Sequence, residues 1–174
     1  MVYSKPLVSP QILYSLTLPS SPMIKDAYEE LRKKHKLPPF HDLDKEFDIS
    51  SIEEEHHPLL SIKKQIEERI NYVSSFLENI LHPNTDTVVD IYECRFFGES
   101  EKKKIFELLK KIQYLLRSLD ESNILSDQKR DCEIINEIWN SWAELKEESL
   151  IYIRKLKDAW KQETSVREQP NYLG

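Results

Sequence analysis

Two overlapping Glu-x-x-His pairs form the strongest metal-binding pattern in this sequence. Glu53 precedes His56 by three residues, and Glu54 precedes His57 by the same spacing. Dinuclear carboxylate sites in helical proteins use such pairs, one on each of two helices, together with glutamates that bridge the ions. Here both pairs fall within one turn, and successive residues point in different directions. The two histidines therefore do not face one common core.

Further carboxylate ligands for such a site are hard to find. Glu93 and Glu144 are candidates, but neither has a histidine three residues further on. We therefore expect no metal and no cofactor. A small helical metal-carboxylate enzyme is kept as the alternative from a different functional class.

Cys94 and Cys132 are the possible thiol nucleophiles. Their separation matches no Cys-x-x-Cys motif, which is typical of a protein from a reducing compartment. A thiolate also needs a neighbouring base, and sequence spacing does not show which histidine lies near a cysteine. The histidines are His35, His41, His56, His57 and His82. We expect no catalysis, with a small helical hydrolase as a second form of the enzyme alternative.

Glycine is almost absent, which excludes the usual signatures of three enzyme classes. Only Gly98 and Gly174 occur, whereas a phosphate-binding loop, a dinucleotide-binding turn and a serine-hydrolase elbow each need several glycines. The net charge of −6 disfavours contact with nucleic acid. A basic cluster does exist, but lysines are expected on the solvent face of any amphipathic helix, so a nucleic-acid-associated helical protein is kept only as a further alternative. Its members are Lys102, Lys103, Lys104, Lys110, Lys111 and Arg117.

The rest of the chain is organised around an amphipathic helix over residues 102–119. Its apolar residues recur at alternating steps of three and four, which is typical of a helix with one buried face. They are Ile105, Leu108, Ile112, Leu115 and Leu119, with Leu109 and Leu116 beside them. The same periodicity predicts helices over 22–36, 58–82 and 126–162. The predicted fold is therefore an all-α, single-domain helical bundle with long antiparallel helices and an extended N-terminal arm.

The boundaries of the arm, the helical domain and the shorter elements are predicted from the residue types at each position. Residues 1–20 are predicted to form the arm, 21–163 the helical domain and 164–174 a flexible tail. Residues 40–51 are expected to be irregular and anchored by Phe40, Leu43, Phe47 and Ile49. Residues 86–97 are predicted to form a short buried helix that ends at a left-handed Gly98, with a strand as the alternative. Ser100 is predicted to cap the central helix, and 120–125 to connect it to the last one.

The last helix carries the predicted interface. At 126–162 it would be about 55 Å long, against about 28 Å for 102–119, so its end would project beyond its neighbours. This end is apolar on nearly every side, which favours contact with a protein partner, either a second copy or a different helical subunit. The candidate interface residues are Leu150, Ile151, Ile153 and Trp160. The alternative is that the arm and the helix at 22–36 fold back over this end.

No apolar run is long enough to span a membrane, and the N-terminal residues lack the pattern of a secretory signal. We therefore expect a soluble intracellular protein with no membrane contact. Its predicted function is that of a non-catalytic helical subunit for protein interaction or assembly.

Overall fold

A computed structural model describes residues 22–52 and 57–162. These residues form six α-helices and one short 3-10 helix, with no strand among them, which confirms the predicted all-α class. The predicted arm at 1–20 and tail at 164–174 lie outside the described residues. The α-helices are α1 (Pro22–His35), α2 (Phe40–Phe47), α3 (Pro58–Leu81), α4 (Val88–Cys94), α5 (Glu99–Leu125) and α6 (Gln128–Ala159), and the 3-10 helix is Ile49–Ser51.

The three longest helices, α3, α5 and α6, pack against one another around the core. Lys155 of α6 contacts Glu101 near the start of α5, and Arg130 near the start of α6 contacts Glu121 near the end of α5. These two helices therefore run in opposite directions. The apolar stripe predicted for the central helix is buried, and it includes Leu109 and Leu116.

The short helices α1 and α2 lie against α3 and α6. The Tyr28 hydroxyl donates a hydrogen bond of 2.7 Å to the carbonyl of Pro38, which closes the turn between α1 and α2. Asn136 of α6 donates to the carbonyl of His35 at the end of α1. Helix α1 therefore packs near the first third of α6, and not over residues 150–160.

The C-terminal part of α5 differs from the prediction. Residues 120–125 continue the helix, because Arg117 pairs with Asp120 one turn later and Ser122 is buried. The helix ends only at Leu125, and Ser126, the residue that follows, has the left-handed φ of 52°. With 27 residues in α5 and 32 in α6, the two are about 40 and 48 Å long. The expected overhang of α6 over α5 shrinks from about 27 Å to about 8 Å.

Four smaller expectations are also corrected. Residues 40–47 are helical, although the predicted anchors are all buried. Residues 88–94 form the helix that was favoured over a strand, but none of its residues is buried. Gly98 has φ −76° and precedes α5, so it does not end α4 in a left-handed conformation. The role expected of Ser100 is partly taken by Glu101, whose carboxylate accepts the Gly98 N–H.

Within 22–52 and 57–162, no helix combines the length and the apolar character needed to cross a membrane.

Candidate functional site

The predicted metal pattern lies mostly where the structure gives no description. Glu53, Glu54 and His56 fall outside the described residues. In the part of the chain that is described, no three histidine, cysteine or acidic side chains come together as a metal site would require. The two candidate carboxylates are used elsewhere: Glu93 accepts the Trp160 indole N–H at 2.6 Å, and Glu144 accepts Lys111 Nζ at 3.0 Å.

Cys132 is buried under α1 and does not resemble a nucleophile. Burial raises the pKa of its thiol to about 11, with a further contribution from Asp131. A reactive cysteine needs the opposite shift, because the thiolate is the attacking species. Cys94 is partly exposed, and its Sγ lies 3.3 Å from the carbonyl oxygen of Ile91.

The basic cluster is largely neutralised by acids of the same chain. Lys102 pairs with Glu99, Lys110 with Glu107, and Arg117 with Asp120, each within one turn of α5. Lys111 pairs with Glu144 and Glu148 of α6. Lys103 and Lys104 are exposed and form no ion pair with any described residue. The net basic charge of this face is therefore concentrated at one end of it.

The four predicted interface residues do not lie on a single face of α6. Leu150 and Ile153 are half-buried and, at a spacing of three, share one side of the helix. Trp160 packs its ring against Tyr92 of α4, with the centroids 4.7 Å apart. Ile151 is 60% exposed. At 3.6 residues per turn, it points away from Ile153 and from Trp160.

Ile151 lies in a groove between α5 and α6, which we call the α5–α6 groove. One part has a volume of about 460 Å³, with Leu108 and Tyr152 in its wall. A second part, of about 350 Å³, lies further along the same two helices, beside Tyr114 and Leu145. Lys111 lines both parts, and its ion pairs with Glu144 and Glu148 of α6 mark the boundary between them.

Charged side chains border this groove in a fixed order. At one end it is lined by Lys103 and Lys104, and at the other by Glu137 and Glu144. Between them, hydrogen bonds from Lys111 to Glu144 and then to Glu148 raise the pKa of the lysine, and the same contact lowers the pKa of Glu144. Both groups stay charged at neutral pH. The groove thus has a basic end and an acidic end.

One end of the groove is fixed by contacts around Glu101. Lys155 donates to this carboxylate at 2.5 Å, and the Gly98 N–H donates to it at 3.2 Å. The bond from Lys155 and the bond from Gly98 lower the pKa of Glu101. The Lys155 ammonium also lies 5.0 Å from the centre of the Phe97 ring. Together these contacts tie the start of α5 to the last turns of α6.

The other two grooves of the three-helix core are different in character. The groove between α3 and α6 is occupied by α1 and α2, where Trp142 donates to Glu46 at 2.8 Å and Phe47 packs on the Trp142 ring. The groove between α3 and α5 is polar: Gln113 donates to Ser74 and to Glu78 across it. Of these three grooves, the α5–α6 groove is the one with an apolar floor and no described element over it.

The sequence pattern identified α5 as the central amphipathic helix, but it did not indicate the last turn of that helix or this groove. Its lysines were read as the ordinary solvent face of α5, Leu108 and Leu115 as part of the buried stripe, and Ile151 as a candidate interface residue. The further signal in the sequence is Tyr114, an aromatic residue among lysines, which is 62% exposed. Which sides of α5 and α6 stay uncovered could not be identified before the packing was known.

Searches against protein-family models, curated proteins and solved structures find no match for this chain.

Proposed function

We propose that this protein is a non-catalytic subunit for protein interaction or assembly, and that it binds an amphipathic helix of a protein partner in the α5–α6 groove. The observation that supports this most is the groove itself, with Ile151 exposed in it and no described element over it. An apolar depression between two antiparallel helices is the standard receptor for such a ligand helix.

The lining of the groove fits this kind of ligand. Leu108, Leu115 and Leu145 supply aliphatic carbon at its floor, and Ile151 and Tyr114 supply exposed apolar contacts. The lysine side chains at its edge add apolar stems below their charged ends. A small rim of charge around a central apolar contact is the usual anatomy of a protein interface.

The two alternative functions have less support. An enzyme of the metal-carboxylate class needs ligands from more than one element, and Glu93 and Glu144 are already engaged with Trp160 and Lys111. A nucleic-acid-binding face needs a stripe of free cations, and most of the cluster on α5 is paired with acids. We place the function in a reducing intracellular compartment, in keeping with two free cysteines.

The test is site-specific photo-crosslinking of the full chain in cells of its source. A photoreactive residue replaces Ile151 in the groove or, as the matched control, Tyr72 of α3, which is also well exposed. We expect a protein adduct from position 151 and none from position 72. The captured protein is then purified and titrated against wild type, and its Kd should rise about tenfold or more for Ile151→Glu.

Several outcomes would contradict the proposal. These are equal adducts at both positions, a Kd that Ile151→Glu leaves unchanged, or a crosslink only within one chain, so that the crosslinked product keeps the mass of a single chain. The last result would mean that another part of the same molecule covers the groove.

A further inference from the structure

We infer that the helix bound in the α5–α6 groove is α6 of a second copy of this chain, in an antiparallel arrangement with two-fold symmetry about Ile151. This inference rests on the proposed function, because it names the partner of the same groove. The order of charges along α6 is complementary to the order of charges along the groove when the two helices run antiparallel.

The exposed charges of α6 within about two turns of Ile151 change sign at this residue. Glu144, Glu147 and Glu148 precede it, and they are well exposed or partly exposed. Arg154 and Lys157 follow it and are exposed, and the next acid, Asp158, is paired with Lys161. A two-fold axis at Ile151 places the acidic half of one α6 opposite the basic half of the other. The two halves attract each other in this antiparallel orientation, and the two isoleucines meet at the axis.

The groove has the matching order of charges. Lys103 and Lys104 line it beside Ile151 and Tyr152. They lie toward the C-terminal end of α6, because α5 starts where α6 ends. In the antiparallel arrangement, Glu147 of the second copy lies one helical turn from the axis, on the side of the C-terminal end of the first α6. It therefore comes close to the two lysines that have no ion pair among the described residues.

The basic half of the second α6 also meets groove residues of opposite charge. Arg154 of the second copy lies on the other side of the axis, in the direction of the acidic end of the groove. Glu107 and Glu148 line the wall of the groove there. Its present partner, Glu147 of its own chain, is 3.9 Å away, and both side chains are more than half exposed. An ion pair this exposed contributes little free energy, so replacing it with an ion pair between the two chains costs little.

An antiparallel arrangement is selected over a parallel one by these charges. A parallel second α6 would place its Arg154 and Lys157 beside Lys103 and Lys104, so that four cations faced one another. Like charges opposed across an interface are strongly unfavourable. The symmetric pair also makes each contact twice, once in each groove.

The test is sedimentation velocity and light scattering on the purified full chain over about 1 to 200 μM. We expect a reversible dimer whose dissociation constant rises with salt, since exposed charges contribute to it. Ile151→Glu should shift it to a folded, helical monomer. A protein that stays monomeric throughout this range would overturn the inference, although a crosslink from position 151 to a different protein would leave the proposed function standing.

Charge reversal tests the geometry separately. The pair Lys103→Glu with Lys104→Glu and the single variant Glu147→Lys should each raise the dissociation constant about tenfold or more. Mixing the two variants should restore a dimer, because both contacts of the mixed species then join opposite charges. The matched control is Lys33→Glu with Lys34→Glu, which reverses two adjacent exposed lysines on α1 and should leave the dimer unchanged.

Two results would contradict this arrangement. If the control weakens the dimer as much as the groove variants do, only net charge matters. If the reversed variants do not recover on mixing, their side chains do not meet, and the second copy does not lie in the groove as described.

Discussion

Lys63 of α3 and Asp131 of α6 form an ion pair 2.5 Å long, although the lysine side chain is only 2% exposed. Ser122 of α5 completes the contact: its hydroxyl accepts from Lys63 Nζ at 3.0 Å and donates to Asp131 at 2.5 Å. One polar side chain from each of the three long helices thus meets at the same level of the core. Such a layer fixes which residues of three apolar stripes lie opposite one another.

We expect the protein to lose much stability when only one member of this ion pair is removed. Asp131→Ala leaves the Lys63 ammonium buried without its counterion, and the free energy of unfolding should fall by about 3–5 kcal/mol. The double variant Lys63→Met with Asp131→Leu removes both charges, and it should recover most of that loss. Urea unfolding followed by circular dichroism measures both. If the double variant is as unstable as the single one, the charge of Lys63 does not explain the loss.

This polar layer could have been found in the sequence. Lys63 continues the apolar spacing of Leu59, Ile66 and Ile70, and Asp131 stands four residues before Ile135 in the stripe of α6. Ser122 likewise follows Leu119 by three. Each polar residue therefore occupies a core position of its own helix. A charged residue at such a position is easily dismissed as a gap in the pattern, because its partner lies on another helix.

The boundary between α5 and α6 shows where local signals mislead. Asp120, Ser122 and Asn123 favour turns by intrinsic preference, which is why a connection was expected there. Tertiary contacts reverse that preference, since Ser122 is buried under Lys63 and Glu121 pairs with Arg130 of α6. The α5–α6 groove was beyond prediction for a related reason. Which side of α6 stays open depends on where α1 and α2 pack.

Leu109 and Leu116 give a test of the core around α5. Both are buried, so Leu109→Ala and Leu116→Ala should each lower the free energy of unfolding by about 2–5 kcal/mol. Phe106→Ala on the same helix is the control, because that ring is half exposed and should contribute less. The denaturant concentration at the midpoint of unfolding is measured for each of the three variants and for wild type. Equal midpoints for all the variants and wild type would show that this stripe is not the core.

The two cysteines should differ in reactivity. Cys132 is buried with its pKa raised to about 11, whereas Cys94 is partly exposed. In the native protein at pH 8, we expect a thiol reagent to modify Cys94 quickly and Cys132 only at the rate at which the structure opens. The measurement is mass spectrometry of the labelled chain over time, with and without urea. Cys94→Ser identifies which thiol reacts, and rapid labelling of that variant would contradict the burial of Cys132.

Glu46 should make the attachment of α2 sensitive to pH. Burial alone would raise the pKa of this carboxyl, but hydrogen bonds from Lys146 and Trp142 of α6 outweigh it, and the net pKa is lowered. A carboxyl whose folded pKa is below its unfolded value of about 4.3 stabilises the fold above that pH. This stabilisation is lost as the pH falls through the folded pKa. Glu46→Gln should therefore be less stable than wild type by about 1–3 kcal/mol at pH 7.

The difference between wild type and Glu46→Gln should narrow as the pH falls below about 4, because protonation then removes the same charge from wild type. Urea unfolding of both proteins at a series of pH values measures it, and Glu68→Gln on the exposed face of α3 is the matched control. The control should show no such convergence. A constant difference between wild type and Glu46→Gln at every pH would mean that the lost stability comes from packing, and that the charge of Glu46 does not hold α2 against α6.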